Sequence, residues 1–206
     1  MSVRNRGNAH KERLAYEAAR IMLEQGLTDL EMARRKAAER VGIFDRRQWP
    51  SNALVKEAVL AQQRLFASAT HQTEVRLLRR EIIQAMRMLI NFHPRLIGLA
   101  LHGLTNRKQG VELLLFAERA EDVLLALMAW GIPYWTGERS LRYADGQRIT
   151  HPMFGFLANE IPFRLIVVPP RTRRHPPLDP ITERPHLGAN LVDVERSLER
   201  DEGRAI

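Results

Sequence analysis

A lone carboxylate, Glu112, sits inside the apolar run VELLLFA at residues 111–117, and a basic pair, Arg107 and Lys108, precedes it on the polar stretch TNRKQG at 105–110. The cations can meet phosphate oxygens, while the carboxylate can hold a divalent ion or a substrate group. Each residue also has a plainer reading. Glu112 can be a polar residue on a hairpin edge or can pair across a sheet with Arg164, and turns are commonly basic for solubility alone. His102 could act as a general base, although a lone His on an apolar strand is more often a hydrogen-bonded core or rim residue. His93 and His151 each precede a proline and read as structural.

Other chemistries lack their residues. With no cysteine, disulfides, zinc-thiolate sites and cysteine nucleophiles are excluded. No His pair stands at i, i+4 with an acid between, and no P-loop, dinucleotide fingerprint or Gly-x-Ser-x-Gly elbow occurs. Ser140 and Ser197 have no base close in sequence.

A second set of cations lies on helical segments. Arg34, Arg35 and Lys36 form one run, and Arg76, Arg79, Arg80 and Arg87 form another. With Arg4, Arg6 and Lys11 they could track the phosphates of a nucleic acid. Glu31, Glu39, Glu74 and Glu81 offer the alternative, since several lie three or four residues from an Arg and would make solvated, balanced helix faces. Lys plus Arg number 32 against 24 Asp plus Glu, a formal charge of +8, which favours a polyanionic partner such as a nucleotide or nucleic acid. Aromatics are only 6% of the chain, too few for a base-stacking platform, so Trp130, Tyr134 and Trp135 read as core or rim.

The elements that must position these residues follow from periodicity. Residues 1–10 are polar and read as a disordered arm. Leu14, Ala18, Ile21 and Met22 have helical spacing, with Gly26 as the stop. Thr28 and Glu31 suggest a capping box for a second helix ending at Gly42. Ser51 can cap a third helix, and Thr73 a fourth after a break at 71–73, which Pro94 ends. Residues 95–102 (RLIGLALH) and 111–117 are then predicted as two strands of a β-hairpin. A helix over 119–130 follows, and then strands at 139–143, 148–157 and 163–168. Six prolines after Val168 predict an extended segment, with a short helix capped by Asn190. The expected organisation is a helical region at 1–72, an α/β core at 73–168 and a proline-rich tail at 169–206. No apolar run approaches the ~20 residues of a membrane span and no secretory leader is visible, so the cytoplasm is the expected location.

The order helix, strand, polar turn, strand, helix, strands resembles the core of the nucleotidyltransferase superfamily, the DNA polymerase β-like fold, over about residues 74–168. In that family the first strand ends in a Gly-Ser pair, the second carries carboxylates at i and i+2, and a later strand supplies a third. Carboxylates at i and i+2 of a strand share one face about 6–7 Å apart and can hold two divalent ions. On this pattern Gly103 falls at the family glycine, Leu104 at the serine, Gly110 at the first acid, Glu112 at the second and Arg164 at the third. The resemblance implies an α+β fold with N-terminal helices packed on a mixed sheet. It implies a diverged, noncatalytic nucleotidyltransferase-like protein that binds a nucleotide or nucleic-acid phosphate through Gly103, Arg107 and Lys108. Glu112 is the one residue left for catalysis. No cofactor is expected. Mg²⁺ or Mn²⁺ enters only if an active transferase has rebuilt its acidic site with Glu118 or Glu160. A protein-interaction module is the further alternative.

Overall fold

The computed structural model describes residues 3–65, 69–104 and 107–202. The fold is α+β, and the chain divides into two units: Met1–His71 with Pro180–Thr182, and Gln72–Asp179 with Glu183–Ile206.

The first unit contains α1 (Val3–Gln25), α2 (Leu30–Val41), a 3-10 turn (Arg46–Gln48) and α3 (Asn52–Leu65). Its core is rich in alanine. Leu14, Ala15, Ala18, Ala19, Ile21 and Met22 of α1 are buried, as are Leu30, Ala33, Ala37 and Ala38 of α2. These positions repeat at helical spacing, so one stripe of each helix leaves water. The expected disordered arm is helical from Val3 onward. The cap of α2 is Asp29 rather than Thr28: Met32 N–H donates to Asp29 Oδ1 at 3.0 Å. A carboxylate at the N-cap also meets the positive end of the helix dipole, which a threonine hydroxyl cannot do. Gly42 closes α2 in the left-handed conformation, and Ser51 Oγ accepts from Leu54 N–H at the start of α3, both as expected.

Helix α4 (Ala69–Met88) runs through residues 71–73, where a break was expected. None of His71, Gln72 and Thr73 is a glycine or proline, so each costs only tenths of a kcal/mol in a helix. The amphipathic remainder, with Leu78, Ile82, Met86 and Leu89 buried, outweighs that cost.

The second unit is built on a five-stranded mixed sheet. The strands are β1 (Arg95–Ile97), β2 (Val111–Phe116), β3 (Tyr134–Arg142), β4 (Arg148–Ala158) and β5 (Ile161–Val168), in the order β1-β2-β5-β4-β3. β2 and β5 are parallel and the other neighbours antiparallel. Helix α6 (Ala120–Ala129) connects β2 to β3. One sheet face carries Val111, Leu113, Leu115, Phe154, Phe156, Phe163, Leu165 and Val167, packed with α4 and with Val123 and Leu127 of α6. β2 is buried at all six positions, because both of its faces are covered.

Two strand boundaries differ by five residues from expectation. The run 95–102 is not one strand: β1 ends at Ile97, and residues 98–101 form a helical turn, α5 (Gly98–Leu101). Gly98 has φ +68°, a conformation that terminates a strand, so the hairpin is replaced by strand, helical turn, loop and strand. Leu96 and Ile97 still pair antiparallel with Leu113 and Glu112. β3 begins at Tyr134, five residues earlier than expected, directly after Pro133. The β4–β5 turn is Asn159-Glu160, both with positive φ, the hairpin turn that matches strand twist.

The tail makes a 3-10 turn (Pro170–Arg173), returns to the sheet through a bridge between Leu96 and Ala189, and ends in α7 (Leu191–Glu202). Asn190 and Asp193 cap that helix reciprocally, each side chain accepting from the other's N–H. Among the described residues no helix is long and apolar enough to cross a membrane.

Candidate functional site

Strand alternation puts a second set of residues on the sheet face opposite the helices. The registers align Ile97, Glu112, Arg164, Gly155 and Trp135 in one row across all five strands. Two residues further along each strand, this face carries Arg95, Leu114, Ile166, Met153 and Gly137; Arg139 and His151 follow on the outer two strands. The face therefore holds three arginines and one carboxylate on its strands.

Glu112 is the centre of the polar part. Its side chain is 11% exposed, and its Oε1 lies 3.0 Å from Arg139 Nη2. Arg139 is on β3, although β5 and β4 lie between the two strands in the sheet. The plainer expectation of a Glu112–Arg164 pair is corrected here. Arg164 is the register partner of Glu112, but its Nη1 donates to the Gln109 carbonyl at 2.8 Å. The Gln109 contact uses one guanidinium nitrogen, and the side chain is partly exposed on the same face.

Two glycines frame Glu112. Gly98 has φ +68°, which strains any other residue, and a Cβ there would stand 2.7 Å from Glu112 Oε2 and push the carboxylate aside. Gly98, not Gly103, directly follows β1. Gly103 is a turn glycine beyond α5 with open space around its Cα. Gly110 has φ +74°, and a Cβ there would collide with the Pro162 carbonyl oxygen. No side chain, acidic or otherwise, fits at that position without moving β5.

The remaining predicted residues are dispersed. Arg107 donates to the Asn159 carbonyl at 2.6 Å and lies 3.6 Å from Glu160, so it staples the loop before β2 to the β4–β5 turn. Lys108 is exposed on that loop. His102 pairs with Asp179 at 2.8 Å, both side chains nearly buried, and ties the end of α5 to the tail. Glu118 is exposed beyond the far end of β2, six residues and so roughly 20 Å of strand from Glu112. Among the described residues no three His, Cys, Asp or Glu side chains gather as a metal-holding group.

The helical cations lie in different units. In the first, Arg34 donates to the Pro50 carbonyl, Lys36 to Gln25, and Arg35 lines a cavity of about 200 Å³ with Asp29, Glu31, Met32, Arg46 and Trp49. In the second, Arg76 and Arg79 are partly buried and Arg80 is exposed. Burial lowers the pKa of the Arg79 guanidinium.

Elsewhere on the open face, Tyr143 Oη and His151 Nε2 are 2.8 Å apart and buried. Burial pushes His151 below and Tyr143 above their ordinary values. The far half of the face is apolar. Leu114, Phe116, Ile166 and Val168 pack under Leu187 of the tail, with Ile97, Leu141 and Met153 at the margin. Arg173 stacks over the Phe116 ring at 4.7 Å.

Sequence reasoning missed Arg139 and Gly98. The signal for Arg139 was its alternation with Trp135 and Gly137, which becomes visible once β3 is started at Tyr134. No protein-family model, curated protein or solved structure matches the chain.

Proposed function

We propose that the second unit is a nucleotidyltransferase-like core that has exchanged metal-ion chemistry for binding the phosphate of a nucleotide or nucleic acid. The observation that carries this reading is the state of the two acid positions on β2. Gly110 has no room for a side chain, and the Glu112 carboxylate is already neutralised by Arg139. A pair of divalent ions needs several anionic oxygens converging from adjacent positions. One carboxylate that already shares its charge with a guanidinium, beside an arginine at the third position, does not fit them.

The same arrangement suits an anion. Arg164 and Arg139 share one sheet face with a single strand carboxylate, Glu112, which Arg139 pairs, and Arg95 adds a third cation to that face. Arginine forks match phosphate oxygens in pairs. Lys108, exposed on the loop leading into β2, adds a long-range point charge.

The test is equilibrium dialysis of the full chain against radiolabelled ATP, and separately a short single-stranded RNA, with EDTA present. Binding is expected without metal. It should weaken about tenfold in Arg164→Gln and fall steeply between about 50 mM and about 200 mM salt for the RNA. Turnover of nucleoside triphosphates with Mg²⁺ or Mn²⁺ that disappears in Glu112→Ala would overturn this reading in favour of an active transferase. Binding of neither probe would overturn it as well.

A further inference from the structure

Among the described residues, the outer edge of β3 has a free hydrogen-bonding ladder with definite limits. Tyr143 N–H donates to the Gln147 carbonyl, so odd-numbered residues of β3 bond to β4 and even-numbered ones point away. Arg142, an outward residue, already gives its carbonyl to Leu178 N–H. Pro133 has no N–H and stands just before the strand. Between these stops, Tyr134, Thr136, Glu138 and Ser140 direct four N–H groups and four carbonyls outward. The five residues Tyr134–Glu138 are all exposed. The strand carries no proline, lysine or positive φ, three of the devices that normally blunt such an edge.

We propose that this edge pairs with the same edge of a second copy of the chain, antiparallel about a two-fold axis at Gly137. A two-fold perpendicular to the sheet keeps each side chain on its own face, so it must pass through a residue. Only a centre at Gly137 uses the whole free stretch. It places Tyr134 opposite Ser140, Thr136 opposite Glu138, and Trp135 opposite Arg139, each twice. Eight backbone hydrogen bonds form, and no two like charges stand directly opposed. Gly137 meets its own copy where the backbones come closest, and it has no side chain to obstruct them. Centring the axis at Glu138 or Arg139 instead would set identical charges face to face.

The ends of the edge are complementary to each other. The leading end carries exposed Trp130, Tyr134 and Trp135. The trailing end carries Arg142, exposed and 3.2 Å from Glu183, whereas Arg139 and Trp135 turn inward, to Glu112 and over Gly155. The two-fold brings Tyr134 diagonally across from Arg142 of the other copy, the pairing that favours cation–π contact. Self-complementarity of this kind specifies a second copy rather than an unrelated strand.

Light scattering of the full chain after size exclusion tests the proposal, with dissociation constants from sedimentation equilibrium. The wild type is expected to be a dimer. Thr136→Pro removes only an outward N–H, leaves the β4 ladder intact, and should weaken the dimer roughly tenfold or more, since it is lost twice by symmetry. Thr136→Glu places a carboxylate opposite Glu138 of the second copy and should weaken it about fivefold, whereas Thr136→Lys should not weaken it. Should Thr136→Pro fail to fold, the Glu and Lys pair decides alone. A wild type that is monomeric throughout the concentrations measured, or a dimer indifferent to Thr136→Glu, would overturn the proposal.

Discussion

The two halves of the open sheet face use the same strands for opposite purposes. At one end, β2 and β5 present Glu112 and Arg164, with Arg139 joining from β3. Two and four residues along, the same strands present Leu114, Phe116, Ile166 and Val168, sealed by Leu187. In the polar half, Gly98 lies close against the carboxylate and Gly110 against the Pro162 carbonyl. The apolar half is closed by a returning tail. A strand repeats every two residues, so only a change of residue type along one face can switch a sheet from core to site. Here that switch occurs within one repeat.

The comparison can be broken most severely from the apolar side. Phe116→Ala removes a buried ring and the platform under Arg173, and should cost about 4 kcal/mol in urea unfolding. It should leave ATP affinity within about twofold if the halves are independent. Gly110→Asp restores the acid that the resemblance expects, but it forces a Cβ into the Pro162 carbonyl at a positive φ. A loss of about 3 kcal/mol is expected, with no gain of transferase activity. Glu112→Gln sharpens the comparison from the polar side. The carboxylate is nearly buried but Arg139 is one-third exposed, so the loss should be only about 1 kcal/mol. Anion affinity should rise, because the one negative charge on the face is gone; calorimetric titration with ATP reads this directly.

The smallest effect is the pH dependence carried by His151. Its folded pKa lies below the ordinary value of 6.5, because burial disfavours the imidazolium. The unfolded chain therefore takes up the proton first as pH falls. The stability linked to neutral His151 is complete above about 6.5 and is lost between that value and the lower folded one. Urea midpoints between about pH 7.5 and about pH 5 should fall less steeply in His151→Gln than in the wild type.

Much of this contrast is legible in the residues. Helical spacing, Gly26, Gly42, Ser51 and Asn190 mark the helix ends through local rules, and those rules operate over a few residues. Alternation places Glu112 and Arg164 on strands of the right kind. What stays hidden depends on distance. The Glu112–Arg139 pair joins strands separated by two others, and no local pattern encodes that register. The division of residues 95–102 is hidden too: an apolar run such as LIGLAL suits a strand or a helical turn, and the positive φ of Gly98 ends the strand at Ile97. At residues 3–10 and 71–73, polar composition mimics a break that the helices override.

Electron paramagnetic resonance of Mn²⁺ titrated into the full chain, with and without ATP, addresses the central claim most directly. The account predicts that ATP binds equally well without the metal and that no manganese signal is captured by the protein alone. Two manganese ions held per chain, released by Glu112→Ala, would contradict it.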